Sequence, residues 1–139
     1  MTSKEKDLLR KDLLARLFYG VHCIVYKTNG DIREEDDTIR YIELDNVITH
    51  KSKDDECFML YQIKPYLRPM SDMTEEERNE YFSLKMQECE RVALADIDRP
   101  EALSIILDWL NAHHFDYRGL IEMGLALPAK EGMYEDIEV

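Results

Sequence analysis

The chain is poor in the residues that make several function classes easy to recognise. It has three cysteines in 139 residues, Cys23, Cys57 and Cys89, far apart and odd in number. Zinc ribbons and redox pairs need CxxC spacing, and secreted scaffolds use even, closely spaced sets, so neither is encoded. The three thiols are expected to be reduced and mostly buried. Five glycines form no G-x-G-x-x-G, no Walker-type loop and no G-x-S-x-G, which removes the phosphate-cradling loops and the nucleophile elbow. No HExxH is present. No apolar run approaches the ~20 residues needed to span a bilayer, and residues 1–7 carry no apolar signal core, so the expected location is cytoplasmic. Basic residues are scarce, 18 against 30 acidic, for a formal charge of −12. Phosphate backbones and anionic lipids attract basic surfaces, so neither nucleic acid nor membrane is an expected partner. Basic proteins or cations are the electrostatically favoured ones.

What the chain does contain is enough apolar and charged material for one folded unit: hydrophobic residues make up 45% and charged residues 35%. A single domain over 1–139 is expected, with an ordered core over 7–128 and an acidic, frayed tail over 129–139. Leu9, Leu13 and Leu17, with Leu14 and Phe18 beside them, predict a helix over 7–18, closed by Gly20. Residues 21–28 are β-branched and aromatic, and Asn29-Gly30 is a tight-turn signal. An acidic run fills 31–37. Strand patterns follow at 38–44, 47–49 and 57–63, separated by the polar loop 51–56. Links this short permit only antiparallel pairing. Pro65 and Pro69 make 64–73 read as an ordered irregular loop.

Thr74-Glu-Glu-Glu77 is a capping box. It opens a helix expected to bury Phe82, Met86, Cys89 and Ala93. Asp98-Arg-Pro-Glu101 opens another, with Pro100 in its first turn. That helix carries two adjacent stripes: Leu103, Leu107, Leu110 and His114, then Ala102, Ile106, Trp109 and His113. Asp116 is placed to cap a fourth helix ending at Gly124. The fold expected is α+β: an N-terminal helix, a small three- to four-stranded antiparallel sheet, then three C-terminal helices packed on one face.

Three groups could carry function. Lys64, Tyr66 and Arg68, with Arg118, could hold a small anion such as a nucleotide; alternatively Tyr66 and Leu67 cover the sheet edge while the bases answer nearby acids. His113, His114 and Asp116, with Asp108 upstream, could bind a metal or share acid–base work in a hydrolase. Adjacent helical residues point about 100° apart, however, and both histidines sit where imidazoles bond the last helix carbonyls. No catalytic residue, metal ligand or cofactor is assigned on this basis. A Cys–His pair involving Cys23 or Cys89 lacks any local activating group. The third group is the acidic run at 31–37 with the acidic tail, which could steer a basic protein surface into contact, or in a stronger form imitate DNA.

Three segments carry a resemblance: Lys64-Pro-Tyr-Leu-Arg-Pro-Met-Ser-Asp-Met-Thr-Glu-Glu-Glu77, Trp109-Leu-Asn-Ala-His-His-Phe-Asp-Tyr-Arg-Gly-Leu-Ile121, and Gly124-Leu-Ala-Leu-Pro-Ala-Lys-Glu-Gly-Met-Tyr134. Together with Leu13-Leu-Ala-Arg-Leu-Phe-Tyr-Gly-Val-His-Cys23 they resemble a family of small acidic proteins encoded by Bacteroidales genomes, phages and prophage-like elements. The resemblance implies a mobile-element context in a bacterial host cell and carries no activity, cofactor or site residue with it. It favours a non-enzymatic interaction protein that binds a host or phage protein, with self-association left open.

Overall fold

The computed structural model describes residues 1–51, 54–94 and 100–134. Its first element is set by Thr2, whose hydroxyl accepts from the Glu5 amide at 3.1 Å while the Glu5 carboxylate accepts from the Thr2 amide at 2.9 Å. This capping box starts α1 (Ser3–Arg16), and Gly20 at φ 72° ends the 3-10 turn Leu17–Tyr19 that follows it. Leu9 and Leu13 are fully buried, but so are Asp12 and Arg16. Leu14 and Phe18, expected on the apolar band, lie outward, Phe18 at 96% exposure.

The sheet contains β1 (His22–Tyr26), β2 (Ile32–Glu43), β3 (Asn46–Lys51), β4 (Asp54–Met59) and β5 (Ile63–Pro69). The helices α2 (Glu75–Leu94) and α3 (Pro100–Ala112) come next, then the two-residue strands β6 (Phe115–Asp116) and β7 (Leu127–Pro128). The strand order is β4-β3-β2-β1-β5-β6, with β7 also paired to β5. Neighbours from β4 through β5 are antiparallel, whereas β6 and β7 run parallel to β5.

This corrects the expected fold. Among the described residues the small, purely antiparallel sheet of three or four strands is a seven-stranded mixed sheet, and two α-helices come after β5, not three. The causes are local. The acidic run, expected as a polar link, forms the first half of β2. That half pairs with β1 through Ile32, Glu34, Asp37 and Thr38, and the pairing overrides the low strand propensity of Asp and Glu. The polar loop expected at 51–56 is largely the facing ends of β3 and β4. The loop expected at 64–73 begins as β5 despite two prolines. β1 pairs only Ile63–Pro65, and β7 and β6 pair only Tyr66–Pro69, so no proline amide is needed by two neighbours at once. The fourth helix is absent because Gly119 takes φ 77°. Asp116 instead caps a turn, accepting from the amides of Leu120 at 2.9 Å and Ile121 at 3.0 Å.

The helices do not form a layer on one sheet face. α2 and α3 pack on each other, and α3 reaches β6 and α1. The main core joins α1, the sheet and Leu120, Leu125 and Ala126. A second, smaller core gathers Met73, Ile106, Leu110 and Phe115. In α2, Phe82, Met86 and Cys89 are exposed rather than buried. The half-buried stripe of that helix is Glu77, Tyr81, Leu84 and Glu88. Trp109 is half-buried against the second core. The opening at Asp98-Arg99 and the side chains of Ala93, Ala102 and Leu103 lie outside the described residues.

Candidate functional site

Four distant pieces of sequence meet beside the second core. β5 supplies Arg68, the first turn of α2 supplies Glu77, the end of α3 supplies His113 and His114, and the C-terminal segment supplies Tyr134. They line a cavity of about 550 Å³.

Arg68 is held on all sides. Its two terminal nitrogens donate to the two Glu77 oxygens at 2.8 and 2.6 Å. One also donates to the His113 carbonyl at 3.3 Å, and the guanidinium lies 4.2 Å from the Phe115 ring centroid. Planar bidentate pairing fixes direction as well as charge. Glu77 completes the expected capping box, accepting from the Thr74 amide at 3.0 Å while its own amide donates to the Thr74 hydroxyl at 3.1 Å. Burial alone would raise the Glu77 pKa; the Arg68 and Thr74 bonds outweigh it and hold the carboxyl down at about 2.

His114 is the most unusual residue here. It follows α3 in the left-handed conformation, φ 63°, at the position where glycine is the usual terminator. Its amide donates to Asn111 at 3.1 Å and its carbonyl accepts from the Arg68 amide at 2.7 Å. The side chain is fully buried, and neither ring nitrogen has a hydrogen-bond partner among the described residues. Its ring stacks on Tyr134, centroids 3.7 Å apart and planes 12° apart. Burial, reinforced by the nearby positive charge of Arg16, lowers its pKa to about 3, so the imidazole is neutral near pH 7. Burying polar groups without partners is costly, and such strained, under-bonded residues concentrate at binding sites.

Tyr134 seals this wall. Its hydroxyl donates to the Tyr66 carbonyl at 2.7 Å and accepts from the His22 amide at 3.0 Å. The Ala129 amide adds a bond to the Leu67 carbonyl at 2.7 Å. Residues 129–134, in the segment expected to fray, therefore pack on β1 and β5; residues 135–139 lie outside the described residues. Tyr134 was not singled out from the sequence. A tyrosine in an acidic tail carries no local signal of a partner far back in the chain.

The anion candidates are not brought together. Arg68 lines the cavity, but Lys64 sits over the Tyr26 ring at 5.7 Å. The Tyr66 hydroxyl donates to the Glu35 carbonyl at 2.7 Å. Arg118 donates to Asp12 at 3.1 Å, in a different region. The metal candidates diverge as well. The His113 Nδ1–H donates to the Trp109 carbonyl at 2.8 Å while its ring stacks on Trp109 at 4.2 Å, and Asp116 caps its turn. Among the described residues no group of three or more His, Cys, Asp or Glu is placed to hold a metal ion. The Cys23 thiol is buried, and burial with Asp37 and Asp36 nearby raises its pKa, the opposite of activation.

The charges around the cavity decide what it can accept. Asp72, Glu76, Glu77 and Glu131 line it against Arg68 and Lys130, an excess of two carboxylates. The Arg68 charge is already answered by Glu77. Elsewhere the acidic run has local uses: Asp36 bonds His22 at 2.7 Å, and the buried Asp37 accepts from the Thr38 amide at 2.8 Å. Asp12 and Arg16, an i,i+4 pair in α1, are both fully buried. Arg16 donates to both Asp12 oxygens and, at 2.6 Å, to the Phe115 carbonyl. Among the described residues no helix is long and apolar enough to cross a membrane. No family model matches the chain, and neither a curated protein nor a solved structure matches it.

Proposed function

We propose that the protein is a non-enzymatic binding module of the mobile-element kind its sequence resembles, and that the cavity beside Arg68 and His114 receives a cationic group, a lysine or arginine side chain presented by a host or phage protein. The observation that carries this reading is the charge balance of the cavity: once Arg68 and Glu77 pair with each other, three carboxylates face one cation, Lys130. A lysine or arginine head entering there meets exposed acids at Asp72, Glu76 and Glu131. A neutral imidazole on the wall does not repel it. The formal charge of −12 draws a basic surface in from a distance. The nucleotide reading is the less favoured one, because Arg68 is engaged by Glu77, the Tyr66 hydroxyl by the Glu35 carbonyl and Arg118 by Asp12.

The test is titration of the full chain with short lysine- or arginine-rich peptides, acidic peptides and a nucleotide, at two salt concentrations. Basic peptides should bind, more weakly at high salt. Glu76→Gln and Glu131→Gln should each weaken binding up to about fivefold, the scale of an exposed ion pair. Preference for the nucleotide, or affinity unmoved by both substitutions together, would overturn the proposal.

A further inference from the structure

The face of α2 that does not meet α3 carries an apolar stripe facing solvent. Phe82 is 65% exposed, Met86 47%, and Cys89 is exposed as well. With exposed Asn79 they are spaced three, four and three residues apart, and the sequence continues the spacing to Ala93. That is the seam of a heptad repeat: Asn79 and Met86 at one core position, Phe82 and Cys89 at the other. A helix face built for solvent would carry polar residues there.

The flanks of the seam say what covers it. Lys85 stands on one side of the stripe and Glu90 on the other, five residues on, and both are exposed. Two copies of α2 side by side in the same direction bring Lys85 of each against Glu90 of the other. Opposed directions set Lys85 against Lys85 and Glu90 against Glu76. Flanking charges of this kind choose partner and orientation, and a single asparagine in the seam favours the parallel two-stranded register, where it meets its own copy.

We infer that α2 pairs with α2 of a second copy of this chain as a short parallel coiled coil through Asn79, Phe82, Met86 and Cys89. The seam itself uses none of the residues assigned to the cation cavity, so either proposal can fail alone. In this dimer the two Cys89 thiols face each other across the seam, and two basic-group cavities are held on one particle. Linked sites raise the avidity for a partner bearing two basic groups by making the second contact intramolecular.

The test is sedimentation of the reduced full chain in the micromolar range. A dimer is expected, and Met86→Glu should give a monomer with unchanged far-UV circular dichroism. Lys85→Glu should weaken the dimer about tenfold, since two ion pairs become repulsive together; adding Glu90→Lys should restore it. In a Cys57→Ser background, Cys89 is the one exposed thiol among the described residues, and mild oxidation should give a disulfide-linked dimer that Cys89→Ser abolishes. A monomeric wild-type protein overturns the inference. So does a dimer that survives Met86→Glu, or one that does not cross-link through Cys89.

Discussion

The two cores are held together by different means. Around α1 and the sheet, buried residues that include Leu9, Leu13, Val25, Ile63 and Leu67 form one continuous apolar body. At its edge lies a buried ionic group in which Asp12 is shared between Arg16 and Arg118. Beside α2 and α3 the buried apolar cluster among the described residues is Met73, Ile106, Leu110 and Phe115. There the half-buried aromatics do much of the work: Trp109 lies between Tyr81 at 5.7 Å and Phe115 at 5.8 Å, and its indole N–H donates to Glu80 at 3.0 Å. Opening the main core exposes apolar area and unpaired charge together. Opening the second parts a smaller buried cluster and the half-buried rings stacked beside it. The α2–α3 hairpin should therefore open more readily, as locally stable units do when their buried area is small. The cavity lies where β5 meets the start of α2, with Arg68 and Glu77 paired across it.

The largest expected effect is on the main core. Asp12→Ala leaves Arg16 fully buried without a carboxylate and takes a partner from Arg118, and should destabilise by about 3–5 kcal/mol, read by urea denaturation. Leu13→Ala, at a fully buried site, should cost about 2–5 kcal/mol. Trp109→Ala should cost about 2 kcal/mol, below the range for fully buried aromatics. It should also speed amide exchange in α2 and α3 while leaving β1 to β3 protected. Equal protection loss in both regions would dissolve the distinction between the cores.

Acid provides a subtler probe. His114 has its pKa lowered in the fold from 6.5 to about 3. Below pH 6.5 the unfolded chain takes up a proton that the folded chain refuses, so stability falls as pH drops from 6.5 towards 3, at most about 1.4 kcal/mol per pH unit. Glu77, lowered from 4.5 to about 2, adds a loss in the same direction from pH 4.5 to 2. His114→Asn, which tolerates the left-handed backbone, should flatten the upper window, and Glu77→Gln the lower one. The smallest effect belongs to Phe82→Ser, within about 0.5 kcal/mol in dilute solution, as for an exposed site.

The sequence signals were good where one segment determines its own structure and poor where two stripes compete. The start of α2, the turn at Asn29-Gly30 and the strand at β1 follow from local chemistry. In α2, Phe82-Met86-Cys89 and Tyr81-Leu84-Glu88 both have helical spacing. The first is the more apolar, yet the inner face is set by Glu77 and Tyr81, whose partners Arg68 and Trp109 come from other elements. Pro65 and Pro69 disguised β5 because propensity does not say how many neighbours a strand must serve. Of the site, Arg68, His113 and His114 were legible as polar side chains in structured positions. Their convergence was not, because it depends on the parallel pairing of β5 with β6, which places Arg68 opposite Phe115.

The hydrogen bond from Arg16 to the Phe115 carbonyl spans 99 positions of sequence. At a synthesis rate of about 5–20 residues per second, on the order of 5–20 s separates the emergence of the two groups. During that interval α1 and the β1–β4 meander are already available to pair, while Arg16 has Asp12 but no carbonyl to donate to. The last quarter of the chain is thus what allows the first helix to dehydrate its charges. A ribosome that pauses before Phe115 holds a nascent sheet whose opening helix is still wet.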